Sequence, residues 1–278
     1  MTTVTNQNLE SNLGQLMQGK RGIIMGVAND KSLGWYIAKK CSEQGAKVAI
    51  SYQDDIFLKR VEPLAKEIDA MTLKCDATVE SSITEAFSQL EKEWGALDFV
   101  VHAIAFSDKN ELRGRYVDTT LNNFLNTMHV SCYSFTSIAK YAAPLMKNGG
   151  SMLTLSYYGA EKIIPNYNVM GVAKAALEAS MRYIAADLGP NGIRVNAISA
   201  GPVRTLAASG IADFRDMMHW TEKNTPLRRN IVGDDVGNAG LYLLSDLSAN
   251  VTAEVLHVDS GYHAVGMKLQ REEAEIVE

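Results

Sequence analysis

Apolar residues fall in short continuous runs separated by stretches in which they recur every three or four positions, and from Gly22 onward the two patterns alternate. Gly22 to Val27 reads as a buried strand, Leu33 to Gln44 as an amphipathic helix stopped by Gly45, and Lys47 to Tyr52 as a second strand, completing one βαβ unit. Phe57, Val61, Leu64 and Ile68 step by four, three and four, a helical face that leads into the apolar run Met71 to Cys75. Ile83, Ala86, Phe87, Leu90 and Trp94 repeat the pattern before Leu97 to Ala105. Further strands are expected at Ser151 to Leu155, Ile193 to Ser199 and Val255 to Val258. Near-continuous apolar strands separated by helices specify a parallel sheet covered on both faces, so the expected class is α/β, a Rossmann-type sheet in a single domain. Ser107 to Thr120 and Pro202 to Pro226 break the alternation, and both follow strand ends, where open α/β sheets bind ligands.

Composition narrows the class of partner. Hydrophobic residues make up 46% of the 278 and charged residues 21%, enough apolar side chain for a core, and no repeat or linker divides the chain. The formal charge is -5 without a basic run, which argues against nucleic acid. No segment reaches the roughly 18 to 20 apolar residues that membrane insertion requires. Met1 to Gly19 carries neither the basic nor the apolar part of a secretory signal, so a cytoplasmic location is expected. Cys41, Cys75 and Cys132 are odd in number and scattered, fitting neither a disulfide framework nor a zinc site; buried, reduced thiols are expected. The histidines (His102, His129, His219, His257 and His263) lack ligand spacing, so no metal is expected.

Three local features carry chemistry. Between the first strand and helix lies Gly26-Val-Ala-Asn-Asp-Lys-Ser-Leu-Gly34, where a glycine lets backbone amides approach a pyrophosphate and the helix start offers unpaired N–H groups. The usual G-x-G-x-x-G spacing is absent, and an ordinary strand-to-helix turn uses the same residues, so both readings stand. The second strand ends Ser51-Tyr52-Gln53-Asp54-Asp55, where Gln53 suits a ribose diol and the aspartates would repel a 2′-phosphate, favouring NAD(H) over NADP(H). The aspartates also suit a helix cap, and Asp76 suits an adenine edge or a solvated turn. Finally, Tyr167 and Lys174 are seven apart, about two helical turns at ~3.6 residues each, so one helix would present both on one face. A nearby cation would help a phenol donate to a developing oxyanion; taken alone, the pair is better explained as a core aromatic and a surface lysine.

Longer strings then identify a resemblance. The Gly26-Val27-Ala28 turn, Ser51-Tyr52-Gln53, the run from Tyr157 to Lys174, the run from Arg194 to Ile211 and His257-Val-Asp-Ser-Gly261 are similar to the enoyl-acyl-carrier-protein reductases, a divergent branch of the short-chain dehydrogenase/reductases, over Gly19 to Met267. Most short-chain dehydrogenases carry Tyr-x-x-x-Lys; here Met170 stands four before Lys174 and the tyrosine is Tyr167. That spacing favours an enolate oxygen over a carbonyl being reduced to an alcohol.

The resemblance implies NADH-dependent reduction of trans-2-enoyl thioesters on acyl carrier protein in type II fatty acid biosynthesis. It implies Tyr157, Tyr167 and Lys174 as catalytic residues, and Gly26, Ser32, Leu33, Gln53, Asp76, Ala77, Ile104, Lys174, Val203, Thr205, Leu206 and Ala207 as cofactor contacts. Ala105, Tyr157, Tyr167, Met170, Phe214 and Met217 would line the substrate site; Ala103 and Ala105 stand where the family commonly has Ser and Gly. It further implies a homotetramer and a division into an N-terminal extension (1–18), a reductase domain (19–267) with a lid at 206–220, and a C-terminal tail (268–278). In the lid, Ile211, Phe214, Met217 and Met218 fall at helical spacing, which an ordinary surface helix packed on the core would also show; Arg204, Lys223, Arg228 and Arg229 are the basic groups expected to meet the acidic carrier. A carbonyl-reducing dehydrogenase and a nucleotide-sensing protein without catalysis are the competing functions.

Overall fold

The βαβ alternation builds one parallel sheet from β1 (Arg21–Met25), β2 (Lys47–Tyr52), β3 (Met71–Lys74), β4 (Phe99–His102), β5 (Gly150–Ser156), β6 (Ile193–Ala200) and β7 (Val255–Val258). A computed structural model of the chain describes residues 15–206, 208 and 213–267. The spatial order is β3-β2-β1-β4-β5-β6-β7, so the direction of winding reverses between β1 and β4 and leaves a crevice at their carboxyl ends. The connecting helices are α1 (Leu33–Glu43), α2 (Asp55–Glu67), α3 (Glu80–Trp94), α4 (Leu121–Met128), α5 (Ser134–Ala142), α6 (Val169–Leu188), α7 (Phe214–Asn224) and α8 (Gly233–Leu244).

Alternation along each strand feeds two cores. Ile23, Met25 and Val100 face one cluster with Phe87 and Leu90 of α3, Phe135 and Ile138 of α5, and Leu177 and Met181 of α6. Ile24, Phe99 and Val101 face the other, with Trp35 and Ile37 of α1, Val61 of α2 and Val236 and Leu243 of α8. Each fully buried side chain of this size contributes about 1.5 to 3 kcal/mol, which is why a sheet apolar on both faces needs helices on both. Met17, which the sequence reading leaves in the N-terminal extension, is buried in the second cluster, and its N–H donates to the Gln44 carbonyl at 2.9 Å. Residues 1–14 and the tail 268–278 lie outside the described residues.

Three elements differ from expectation. β4 stops at His102 rather than Ala105: after the Ala103 N–H donates to the Met25 carbonyl at 3.0 Å, the chain leaves the ladder at the crevice. α4 and α5 are joined by a π-helical turn, His129–Tyr133, that apolar periodicity does not reveal. α7 begins at Phe214 and continues past Trp220 to Asn224, ending where Thr225, extended at ψ 147, precedes Pro226.

Candidate active site

Gly26 has φ +89, and a Cβ there would lie 2.1 Å from the Ala103 carbonyl oxygen, so only glycine brings the end of β1 against the end of β4. Just beyond, the Ser32 hydroxyl accepts from the N–H groups of Ala28 (2.9 Å) and Asn29 (3.1 Å), folding the loop back on itself. Ser32 stands at the N-cap of α1 yet makes no side-chain cap, and the first turn holds no acidic residue. The helix start therefore keeps its partial positive charge directed at the crevice, a fit for a pyrophosphate. Leu33 packs partly against the core behind it.

At the ends of β2 and β3, the Gln53 amide donates to Asp76 at 3.0 Å, while the other Asp76 oxygen accepts from the Thr78 N–H and hydroxyl at 2.9 and 2.7 Å. Burial works to raise the Asp76 pKa, but these hydrogen bonds prevail and hold the carboxyl below its usual range. Asp54 caps α2, accepting from Ile56 (2.8 Å) and Phe57 (3.0 Å) N–H groups, so the cap reading holds for that aspartate while its charge stays beside Gln53. The Ala77 side chain is buried in the core, leaving only its backbone for a ligand. Ile104 and Ala105 follow β4. Phe106 is fixed on both sides by Ser131 of the π-turn, whose hydroxyl accepts from its N–H at 2.9 Å and donates to its carbonyl at 3.0 Å. Val203, Thr205 and Leu206 follow β6, and Thr205 accepts from the Ala208 N–H at 3.1 Å. Ala207 and Ile211 lie outside the described residues.

The end of β5 organises the second half of the site. The Leu155 carbonyl accepts from Lys174 Nζ at 2.6 Å, the Ser156 hydroxyl donates to Glu178, and Tyr157 projects next. Tyr157 and Tyr167 meet edge to face with ring centroids 5.0 Å apart, and the Tyr157 hydroxyl points at Met217 Sδ, 3.1 Å away on α7. Tyr167 is buried with Leu112, Val169 and Met170 in a third apolar cluster, against which Phe124, Tyr157 and Ile164 pack. Phe214 is half-buried on α7. Burial pushes both phenols well above their ordinary pKa, so each is a neutral donor across the working pH range. Burial pulls Lys174 the other way, down to about 8, with Glu178 opposing.

The expectation that Tyr167 and Lys174 share a helical face is corrected here. α6 starts at Val169, after Asn168 at φ 38 and ψ -120, so Tyr167 lies outside the helix and is aimed by turns at Asn166 (φ 58) and Asn168. Gly159 lets it pack: a Cβ there would sit 2.4 Å from Tyr167 Cδ1. Sequence reading missed Ser131, Ser156, Gly159 and Glu178. The Tyr157-Tyr158-Gly159 string signalled only the glycine; the others act through contacts distant in the chain.

The family described as Enoyl-(Acyl carrier protein) reductase matches residues 26–263. This chain belongs to that family. It is 63% identical over 254 residues to the enoyl-[acyl-carrier-protein] reductase [NADH] 1 of Rhizobium meliloti (strain 1021), covering 91% of this chain and 93% of the relative. It superimposes with a TM-score of 0.88 on the Anaplasma phagocytophilum reductase solved in complex with NAD, at 61% identity over 93% of this chain and 97% of that one. The Bacillus cereus enoyl-acyl carrier protein reductase, solved with NADP+ and indole naphthyridinone, gives a TM-score of 0.90 at 44% identity, covering 91% and 100%. Among the described residues no group of three or more His, Cys, Asp or Glu could hold a metal, and no helix is long and apolar enough to cross a membrane.

Proposed function

We propose that this protein reduces trans-2-enoyl thioesters carried on acyl carrier protein to saturated acyl thioesters, using NADH, in fatty acid biosynthesis. When bound in the crevice, NADH supplies the hydride that adds to the β-carbon, leaving negative charge on the thioester oxygen as an enolate. The Tyr167 phenol, neutral and buried, donates a hydrogen bond to that oxygen, an interaction that strengthens as charge develops. Lys174 holds the ribose of the cofactor and contributes positive charge. Tyr157 forms the second aromatic wall, and Met170, Phe214 and Met217 contact the acyl chain, with Ala105 at the end of the loop after β4. The α-carbon then takes up a proton from solvent, so that hydride and proton together saturate the double bond, and the product leaves. The observation that supports this most strongly is the edge-to-face Tyr157–Tyr167 pair at the rim of an apolar cluster, one strand end from Lys174.

The finer parts of this reading concern the assembly. The enzyme works in the cytoplasm as a homotetramer, with residues 19–267 as the reductase domain. The 206–220 segment closes over cofactor and acyl chain, with Met217 against Tyr157 marking the closed side. Arg204, Lys223, Arg228 and Arg229, all exposed, draw in the acidic carrier, whereas Asp213 and Asp216 oppose Arg215 on the helix itself. The test is NADH oxidation with crotonyl thioester. Rapid oxidation is expected; turnover of 3-oxoacyl but not 2-enoyl thioesters would transfer the site to carbonyl reduction, and NADH binding without turnover of either would leave only a nucleotide-binding protein.

A further inference from the structure

The end of β5 receives two titratable side chains at consecutive residues. Leu155 accepts the Lys174 ammonium at 2.6 Å, and Ser156 hydrogen-bonds Glu178, which lies four residues after Lys174 on α6. Both charged residues are buried, Lys174 at 6% and Glu178 at 7% exposure. A carboxylate and an ammonium at this helical spacing have Cβ atoms about 5 to 6 Å apart. Carboxylates are rarely buried unless partnered, and packing alone would be served by an apolar residue here, next to Leu177 and Met181.

We propose that Glu178 is a positioning residue for Lys174: its carboxylate, tethered by Ser156 to the strand end that also receives the ammonium, keeps Lys174 charged and directed at the cofactor ribose. The inference rests on the reading above that Lys174 holds the ribose. Every charged or titratable group facing the pair acts in a definite sense. The Glu178 carboxylate favours the ammonium of Lys174, while burial opposes it; His102 of β4 also faces Lys174 and is itself held neutral by burial. Around Glu178, burial prevails and holds its carboxyl above the usual range, with Glu161 adding to it, while the Ser156 hydroxyl, Arg182 and His257 of β7 favour the carboxylate. Tyr167 feels the same carboxylate, which reinforces the neutral phenol. As a carboxylate, Glu178 therefore favours a cationic lysine and adds to the burial that keeps the tyrosine a phenol, the forms that the proposed chemistry requires.

The experiment is NADH affinity against pH, read by nucleotide fluorescence, together with the pH profiles of kcat and kcat/KM. In the parent, affinity weakens as pH rises through the Lys174 ionisation, about 8 in the free protein. Glu178→Gln preserves volume and the bond from Ser156 but removes the charge. The alkaline limb should move acidward by about one to two pH units, so that NADH binds about tenfold more weakly near pH 8 and almost normally near pH 6. Glu178→Asp should restore the limb to within about half a unit, which a purely structural role would not predict. A Glu178→Gln profile that superimposes on the parent overturns the inference. Lys174→Met separates the two readings: loss of NADH affinity there with no shift in Glu178→Gln removes the role of Glu178 alone, whereas parental affinity in Lys174→Met removes the ribose assignment itself. Should Glu178→Gln fail to fold, Ser156→Ala carries the test, with a smaller acidward shift expected and an unmoved limb overturning the proposal.

Discussion

Gly159→Ala isolates positioning of the phenol from its chemistry. The added methyl would lie 2.4 Å from Tyr167 Cδ1 and 2.7 Å from Cε1, whereas ordinary contacts begin near 3.4 Å, so the ring must retreat by about 1 Å or the turn must shift with it. Tyr167 cannot simply swing away, because Val169, Met170 and Leu112 enclose it and Tyr157 packs on its edge. A displacement of about 1 Å at a catalytic donor can cost up to about a hundredfold in rate. On the proposed mechanism, deleting the hydroxyl outright by Tyr167→Phe would remove a hydrogen bond to a charged group, about 1.5 to 3 kcal/mol, or roughly ten- to a hundredfold. The two variants should therefore lose kcat to a similar extent while NADH affinity stays near the parent value. Stopped-flow NADH oxidation with crotonyl thioester, NADH titration and thermal melting make the comparison. Gly189→Ala is the control, because no atom lies within 4 Å of a Cβ there. Parental kcat in a folded Gly159→Ala protein would refute the claim that this glycine sets the reach of Tyr167. A loss that Tyr167→Phe does not share would move the oxyanion role to Tyr157 or water.

Lys174→Ala should weaken NADH binding as well as turnover, in contrast to Tyr167→Phe; equal NADH affinity in the two variants would dissociate the lysine from the ribose. NADH should be preferred over NADPH because Asp54 and Asp55 sit beside Gln53, and the preference should be greatest at low salt, where repulsion is least screened; comparable kcat/KM for both nucleotides there would count against it. His102, buried with its ring nitrogens on Thr154 (3.0 Å) and Ser134 (2.8 Å), is lowered by burial, and secondarily by Lys174, to about 3. Because its folded pKa lies below the unfolded value, its contribution is present above about pH 6.5 and is lost as pH falls toward 3, by up to about 1.4 kcal/mol per pH unit. His102→Gln should flatten the acid limb of a urea-denaturation series, and an unchanged limb would assign acid lability elsewhere. The 206–220 segment should gain hydrogen-exchange protection on adding NAD and an inhibitor; equal, strong protection with and without them would argue against a lid.

The sheet was legible because burial on both faces forces apolar runs, and β2 and β7 begin and end where those runs do. The end of β4 was not, because Ala103 to Ala105 remain apolar after leaving the ladder: small residues suit a crevice wall as well as a strand. The residues proposed for the cofactor half stand out in the sequence for a similar reason. Gly26 and Gln53 lie at element ends, and a strand end beside a helix start is a local feature. Glu178 and Ser131 were not readable, because each matters through a partner 22 or 25 residues away, and nothing in their own neighbourhood separates them from an ordinary helical glutamate and serine.

The displacement of the tyrosine from the common spacing has a backbone explanation. In a Tyr-x-x-x-Lys enzyme, tyrosine and lysine occupy successive turns of one helix, so their separation is set by helical geometry. Here position four before Lys174 is Met170, within the first turn of α6, and its side chain serves the apolar cluster. A tyrosine placed before the helix is released from that geometry and needs other means of orientation. Asn166 and Asn168 in left-handed turns, the glycine backbone beneath the ring, and the Tyr157 edge supply them. Asn166 also donates to Asp213 at 3.1 Å, so the turn that aims Tyr167 is tied to the residue that starts α7. Movement of α7 over the acyl chain would therefore be felt at the phenol, coupling closure of the site to placement of its donor.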